Sequence, residues 1–111
     1  MKSRYKVVIA KSGIQDIKAM KIYILKQFKY RSLAENFSSK MKKHLKSLDT
    51  FPEGHQPTGF YYRGYNIYLK PRNTYLIFYT VSDSDMTVTI LRIMKDGMNW
   101  RYIIQQWLQE T

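Results

Sequence analysis

The sequence predicts an α/β (α+β) domain. It comprises an N-terminal strand, an antiparallel two-helix hairpin, a three-stranded antiparallel meander and a C-terminal helix, with a small, curved, mainly antiparallel sheet packed on the hairpin. Three observations carry this expectation. Apolar residues recur at three- and four-residue spacing from Ile14 to Phe28 and again from Leu33 to Leu48, the period of a helix face. Only Lys29-Tyr30-Arg31 separates the two runs, a link that suits antiparallel neighbours. From Tyr65 onward, β-branched and aromatic runs alternate with turn-forming residues at hairpin spacing. At 111 residues, positions 1–111 form one domain with a single core.

Tyr5-Lys-Val-Val-Ile-Ala10 is short and β-branched, a first strand. Ser12 with Gln15 has the capping-box spacing, and Ile14, Ile17, Met20, Ile24 and Phe28 form the inward stripe of the helix it opens. Ser32 with Glu35 repeats the pattern before Leu33, Phe37, Met41, Leu45 and Leu48, and Phe51-Pro52-Glu53-Gly54 stops the second helix. Pro57, Gly59 and Gly64 interrupt Gln56–Gly64, which reads as a loop feeding a strand at Tyr65–Leu69. Lys70-Pro71-Arg72-Asn73 suits a β-turn, because proline pre-sets the backbone angle of its second position. Thr74–Val81 and Met86–Met94 are strands around the turn Ser82–Asp85. Trp100–Gln109 is a closing helix with Trp100, Ile103, Ile104, Trp107 and Leu108 on one side.

Charge is the strongest compositional fact. The net charge is +11, and residues 1–50 hold 13 Lys or Arg against 3 Asp or Glu, whereas residues 51–111 hold 6 against 5. Such an imbalance points to a polyanionic partner, nucleic acid or an acidic protein segment. Lys18, Lys21, Lys40, Lys42, Lys43 and Lys46 all fall off the apolar stripes and form the candidate partner-binding face, with Trp100 and Trp107 as aromatic anchors. The chain has no cysteine, which excludes disulfides, thiol nucleophiles and cysteine-ligated zinc. The apolar run near the N-terminus is too short for a signal-peptide core and none is long enough for a membrane span, so a soluble, cytoplasmic protein is expected.

Metal ligation needs convergent donors, and His44 and His55 stand alone, so neither a metal nor any other cofactor is expected. His44, beside an apolar stripe, reads as a packing residue and His55 as a plain loop residue. There is no glycine-rich phosphate loop. Metal-free RNA cleavage stays open: it needs a base, an acid and cations around the developing phosphorane. The candidates are Arg63, Lys70, Arg72, Arg92 and Lys95, with Tyr62, Tyr68 or Tyr102 as weak acids.

The order of these segments resembles the RelE/ParE toxins of bacterial type II toxin–antitoxin pairs, and more closely the ParE-like branch. YKVVIAKSGIQDIKAMKIYI is similar to that family's first strand and helix. FSSKMKKHLKSLDTFPEGHQP is similar to its second helix and Phe-Pro stop, and NTYLIFYTVSDSDMTVTILRIMKDGMNW to its central strand pair. The resemblance implies one of two actions. ParE-like members bind and stall DNA gyrase; RelE-like members cut messenger RNA on the ribosome with basic residues of the sheet. Either implies a cognate antitoxin with an acidic or amphipathic segment.

The two strand lysines of the nuclease branch fall here on Asn66 and Tyr68, and its following arginine on Leu76; Lys95 alone matches a later basic position. A leucine cannot grip a phosphate as a guanidinium does. Lys95-Asp96-Gly97 also departs from the His-Gly-Arg stretch of the ParE-like branch. The expectation is a gyrase-binding toxin, with an endoribonuclease using an altered basic set as the alternative. Lys70 and Arg72 read as docking or solvated turn residues, on a sheet whose exposed side lacks a convergent cation cluster.

Overall fold

A computed structural model describes residues 4–50 and 52–111. The order is β1 (Lys6–Ile9), α1 (Lys11–Phe28), α2 (Arg31–Lys46), two 3-10 turns (Ser47–Asp49 and Pro52–Gly54), β2 (Gln56–Tyr62), β3 (Tyr65–Arg72), β4 (Tyr75–Ser82), β5 (Thr87–Lys95) and α3 (Trp100–Glu110). The five strands make one sheet in the order β1-β5-β4-β3-β2. β1 runs parallel to β5, and every other pairing is antiparallel. Phe51, part of the expected helix stop, lies outside the described residues. No helix among the described residues is long and apolar enough to cross a membrane.

The first helix begins without the expected capping box. Ala10 is its N-cap and makes no side-chain cap bond. The Ala10 N–H donates to the Ile90 carbonyl at 2.9 Å, so strand pairing fixes the entry to α1. The Ser12 hydroxyl donates instead to the Leu91 carbonyl at 2.7 Å. Gly13 lets this first turn lie on β5: a Cβ there would stand 3.0 Å from Ile9 Cγ2 and 3.2 Å from the Ile90 carbonyl oxygen. The second box also fails to form, because α2 starts at Arg31 with Tyr30 as an uncapped N-cap.

The meander has four strands rather than three. Gln56–Tyr62, expected to be loop, is the edge strand β2. Edge position explains why Pro57 is tolerated, and Gly59, at φ +88°, lies where the β2–β3 register shifts. Arg63 and Gly64 both have positive φ, the pair a tight two-residue hairpin turn requires. The turn expected at Lys70–Asn73 lies further on. β3 continues through Arg72, paired with Tyr75, and Asn73 takes the left-handed conformation. Pro71 is accommodated because β2 pairing ends at Leu69, so no donor is needed on that side.

The sheet is covered on both faces. Ile17, Met41, Leu45 and Leu48 pack on Ile77, Tyr79, Val81, Val88, Ile90 and Ile93. On the reverse face α3 brings Ile104 onto Ile67, Leu76, Phe78, Leu91 and Met94, with Trp100 and Trp107 half-buried against them. β4 is therefore buried on both sides, which is why it reads as an unbroken apolar run. Each such side chain contributes about 1.5–3 kcal/mol by leaving water. The hairpin fits less closely than its periodicity suggests: Ile14, Phe28 and Leu33 are 43%, 55% and 43% exposed. Ala34 and Ser38, absent from the expected stripe, are buried in α2.

Candidate functional site

Two surfaces stand out. The first is an open, mainly apolar groove of about 960 Å³ beside α1, closed by the end of β5 and the segment leading to α3. Tyr23, Phe28, Leu33 and Met98 line it and are each more than two-fifths exposed. Large apolar side chains left open together mark a surface that a partner covers. Lys95 supplies a cation at its wall, where Arg92 is paired with Asp16.

The second surface is basic and lies on the outer part of β3. Strand alternation sends Ile67 and Leu69 to the α3 side and Tyr68, Lys70 and Arg72 to the hairpin side. There Lys70 Nζ donates to the Ser47 hydroxyl at 3.3 Å, and Arg72 Nε donates to His44 Nδ1 at 3.0 Å. Tyr68 stacks on Tyr79 with centroids 5.7 Å apart, and His55 meets Tyr79 edge-on at 6.2 Å. The Tyr79 hydroxyl donates to the Pro52 carbonyl.

The electrostatics of this edge are consistent. Burial, then Arg72, Lys70 and Lys40, hold the His44 pKa below its ordinary value. Burial, then Lys70, lowers His55. Burial, then Arg72, lowers Lys70. Among the described residues neither Lys70 nor Arg72 has a carboxylate partner. Glu53, the acid that follows Pro52, faces Tyr5 and Asp83 instead, and burial followed by its hydrogen bond with Asp83 raises its pKa.

This corrects one sequence expectation and adds to two. Lys70 and Arg72 are strand residues, tied to Ser47 of the 3-10 turn after α2 and to His44 of α2, not a free turn. His44 is an acceptor for Arg72 as well as a packing residue, and His55 lies within Lys70's electrostatic reach. A cation cluster therefore does gather, though on the hairpin side of the sheet. The sequence left both histidines out of the basic set because the contacts of His44 with Arg72 and of His55 with Tyr79 arise only through tertiary packing. The available signal was the alternation Tyr68-x-Lys70-x-Arg72, which puts all three on one face of a strand.

The other candidates do not join them. Arg92 grips Asp16, with Nε–Oδ2 2.8 Å and Nη2–Oδ1 3.0 Å. Arg63 sits in the β2–β3 turn over the Tyr62 ring, and Tyr62 itself stacks on Trp107. Lys95 ends β5, and Tyr102 is exposed on α3. Trp100 packs on Phe60 and Phe78, so both tryptophans bind α3 to the sheet rather than standing free as anchors. Lys18 and Lys21 border a shallow hollow between the helices, whereas Lys40, Lys42, Lys43 and Lys46 are exposed along α2. No group of three or more metal-ligating side chains occurs among the described residues.

The family model described as the ParE toxin of the type II toxin–antitoxin system parDE matches residues 7–100. No curated protein matches the chain by sequence. Among solved structures, the chain is similar to one from the Pseudomonas (P. aeruginosa) chromosomal ParDE toxin–antitoxin system. The TM-score is 0.65 and the identity 13%, covering 85% of this chain and 98% of that one. It is also similar to a chain of the Mycobacterium tuberculosis toxin–antitoxin complex RelBE2, with TM-score 0.60 and 17% identity over 88% and 98% of the two chains. At such identities the likeness is one of fold.

Proposed function

Because the chain belongs to the ParE toxin family of type II toxin–antitoxin systems, we propose that it arrests growth in the cytoplasm by binding DNA gyrase. The observation that supports this reading is that Arg63, Arg92, Lys95 and Tyr102 stand apart from the Tyr68, Lys70 and Arg72 cluster. RNA cleavage needs acid, base and cations around one phosphorus. Arg92 is occupied by Asp16, Arg63 lies in a turn on the edge hairpin, and Lys95 and Tyr102 stand outside the β3 cluster. The reverse face of the sheet is filled by α3 and its aromatic side chains.

The same reading includes a cognate antitoxin with an acidic, amphipathic segment. Its apolar side covers Tyr23, Phe28, Leu33 and Met98, and its carboxylates meet Lys95 and the lysines of the hairpin. The similar solved structures are themselves from toxin–antitoxin systems, which supports this partner.

The alternative, a ribosome-dependent messenger-RNA endoribonuclease, has one observation in its favour: Lys70, Arg72 and Tyr68 do share one face with His44. Expression in a host, following plasmid supercoiling and transcript integrity together, separates the two. Gyrase binding relaxes plasmids while transcripts stay whole. Rapid transcript cutting with normal supercoiling replaces it with the nuclease reading.

A further inference from the structure

We infer that the hollow between α1 and α2, on the outer side of the hairpin, receives an acidic amphipathic helix of the toxin's protein target. Ile22 and Leu25 are its apolar contacts, and Lys18, Lys21 and Arg31 its charged rim. This assignment rests on the gyrase reading and gives that target a place on the chain, separate from the groove assigned to the antitoxin.

Helix periodicity carries the geometry. Ile14, Lys18, Lys21, Ile22 and Leu25 fall at i, i+4, i+7, i+8 and i+11, and so share one stripe of α1. Ala19 and Tyr23, which line the groove, point to another side of the same helix. Ile22 and Leu25 are 54% and 42% exposed, an apolar pair that folding leaves in water. Across from them α2 presents Arg31, Ala34 and Glu35. Ala34 is buried, and so small a side chain at the floor leaves a hollow of about 350 Å³ between the helices. From Ile14 to Leu25 the stripe runs about 16 Å along the axis, room for roughly three turns of a further helix.

The rim selects the partner's charge. Lys18, Lys21 and Arg31 stand against a single carboxylate, Glu35, and none of the three is ion-paired among the described residues. A helix with apolar side chains at i, i+4 and i+7 sets them on Ile22, Leu25 and the Ala34 floor, and its flanking carboxylates reach the cations. A second copy of this chain would bring the same cations against themselves. A phosphate backbone would use the cations but leave Ile22 and Leu25 in water.

The test uses the full chain with purified DNA gyrase and reads the toxin concentration that halves supercoiling of a relaxed plasmid. Ile22→Asp with Leu25→Asp is expected to raise that concentration about tenfold or more. Lys18→Gln with Lys21→Gln is expected to raise it several-fold at low salt, with the gap from the parent closing as salt increases. Lys6→Gln with Arg101→Gln, on β1 and α3, removes the same charge and is expected to match the parent. The chain has no cysteine, so Glu35→Cys carries a single environment-sensitive dye at the rim. Its emission is expected to shift to the blue on adding gyrase. Unchanged thermal melting of the apolar pair separates a lost contact from a lost fold; if that pair melts early, the dye decides. Three results would overturn this assignment and leave the gyrase reading standing: parent-like inhibition by the apolar pair, equal losses for both charge pairs, or an unshifted dye on a chain that still inhibits. A parent that never inhibits supercoiling overturns the gyrase reading and this assignment together.

Discussion

Arg92 and Asp16, 76 positions apart in the chain, form a two-point ion pair that joins β5 to α1. The same Asp16 Oδ2 also accepts the Ile93 N–H at 2.8 Å, so one carboxylate holds both a side chain and the strand backbone. The two side chains are 20% and 15% exposed. Removing one partner leaves the other charge poorly solvated. Asp16→Ala is therefore expected to lower stability by about 2–3 kcal/mol, somewhat less than for a fully buried pair. Denaturant midpoints check this. Loss of toxicity in Arg92→Ala should follow the loss of folded protein, and a stable but inactive variant would return Arg92 to the list of contact residues.

The histidines at the basic edge give a pH dependence whose sign follows from their lowered pKa values. A depressed native pKa means that the unfolded chain binds more protons in the acidic range. The contribution from His44 and His55 is present above the ordinary histidine value near 6.5 and is lost as pH falls through that value towards their native pKa values. Melting temperature should be level above about pH 7 and decline through pH 6. His44→Gln should make that decline shallower, and an unchanged profile would place the titration elsewhere.

Gly13 is a packing requirement. Alanine would gain about 1 kcal/mol of helix propensity. Its Cβ would, however, meet Ile9 and the β5 backbone at 3.0 and 3.2 Å. Overpacking against a strand costs more than propensity returns, so Gly13→Ala should destabilise by roughly 1–2 kcal/mol net. Thermal denaturation decides the sign.

The apolar groove predicts a separation of folding from partner binding. Phe28 is 55% exposed at the end of α1, so Phe28→Asp should change stability by less than about 0.5 kcal/mol. Losing a large apolar contact and adding a charge in the groove should weaken antitoxin binding by about 2 kcal/mol or more. Calorimetric titration with the antitoxin measures it; full affinity in the variant would move the antitoxin off this groove.

The sequence by itself determined the strand–helix–helix–strand–helix order, because apolar spacing is a local property and these periods are long enough to read. It determined the family through that same order, and the positive half through simple counting. It misread β2, because Pro57 and Gly59 break a pattern locally, while an edge strand tolerates both by leaving one side unpaired. It expected serine caps at α1 and α2, whereas Ser12 was claimed by the Leu91 carbonyl across the fold. Only the tertiary structure decided that Arg92 is spent on Asp16, that α3 takes both tryptophans onto the sheet, and that Arg72 meets His44 while Lys70 meets Ser47. Side chains can be assigned to a face from a period of two or of 3.6, but which faces meet depends on the packing of elements distant in the chain.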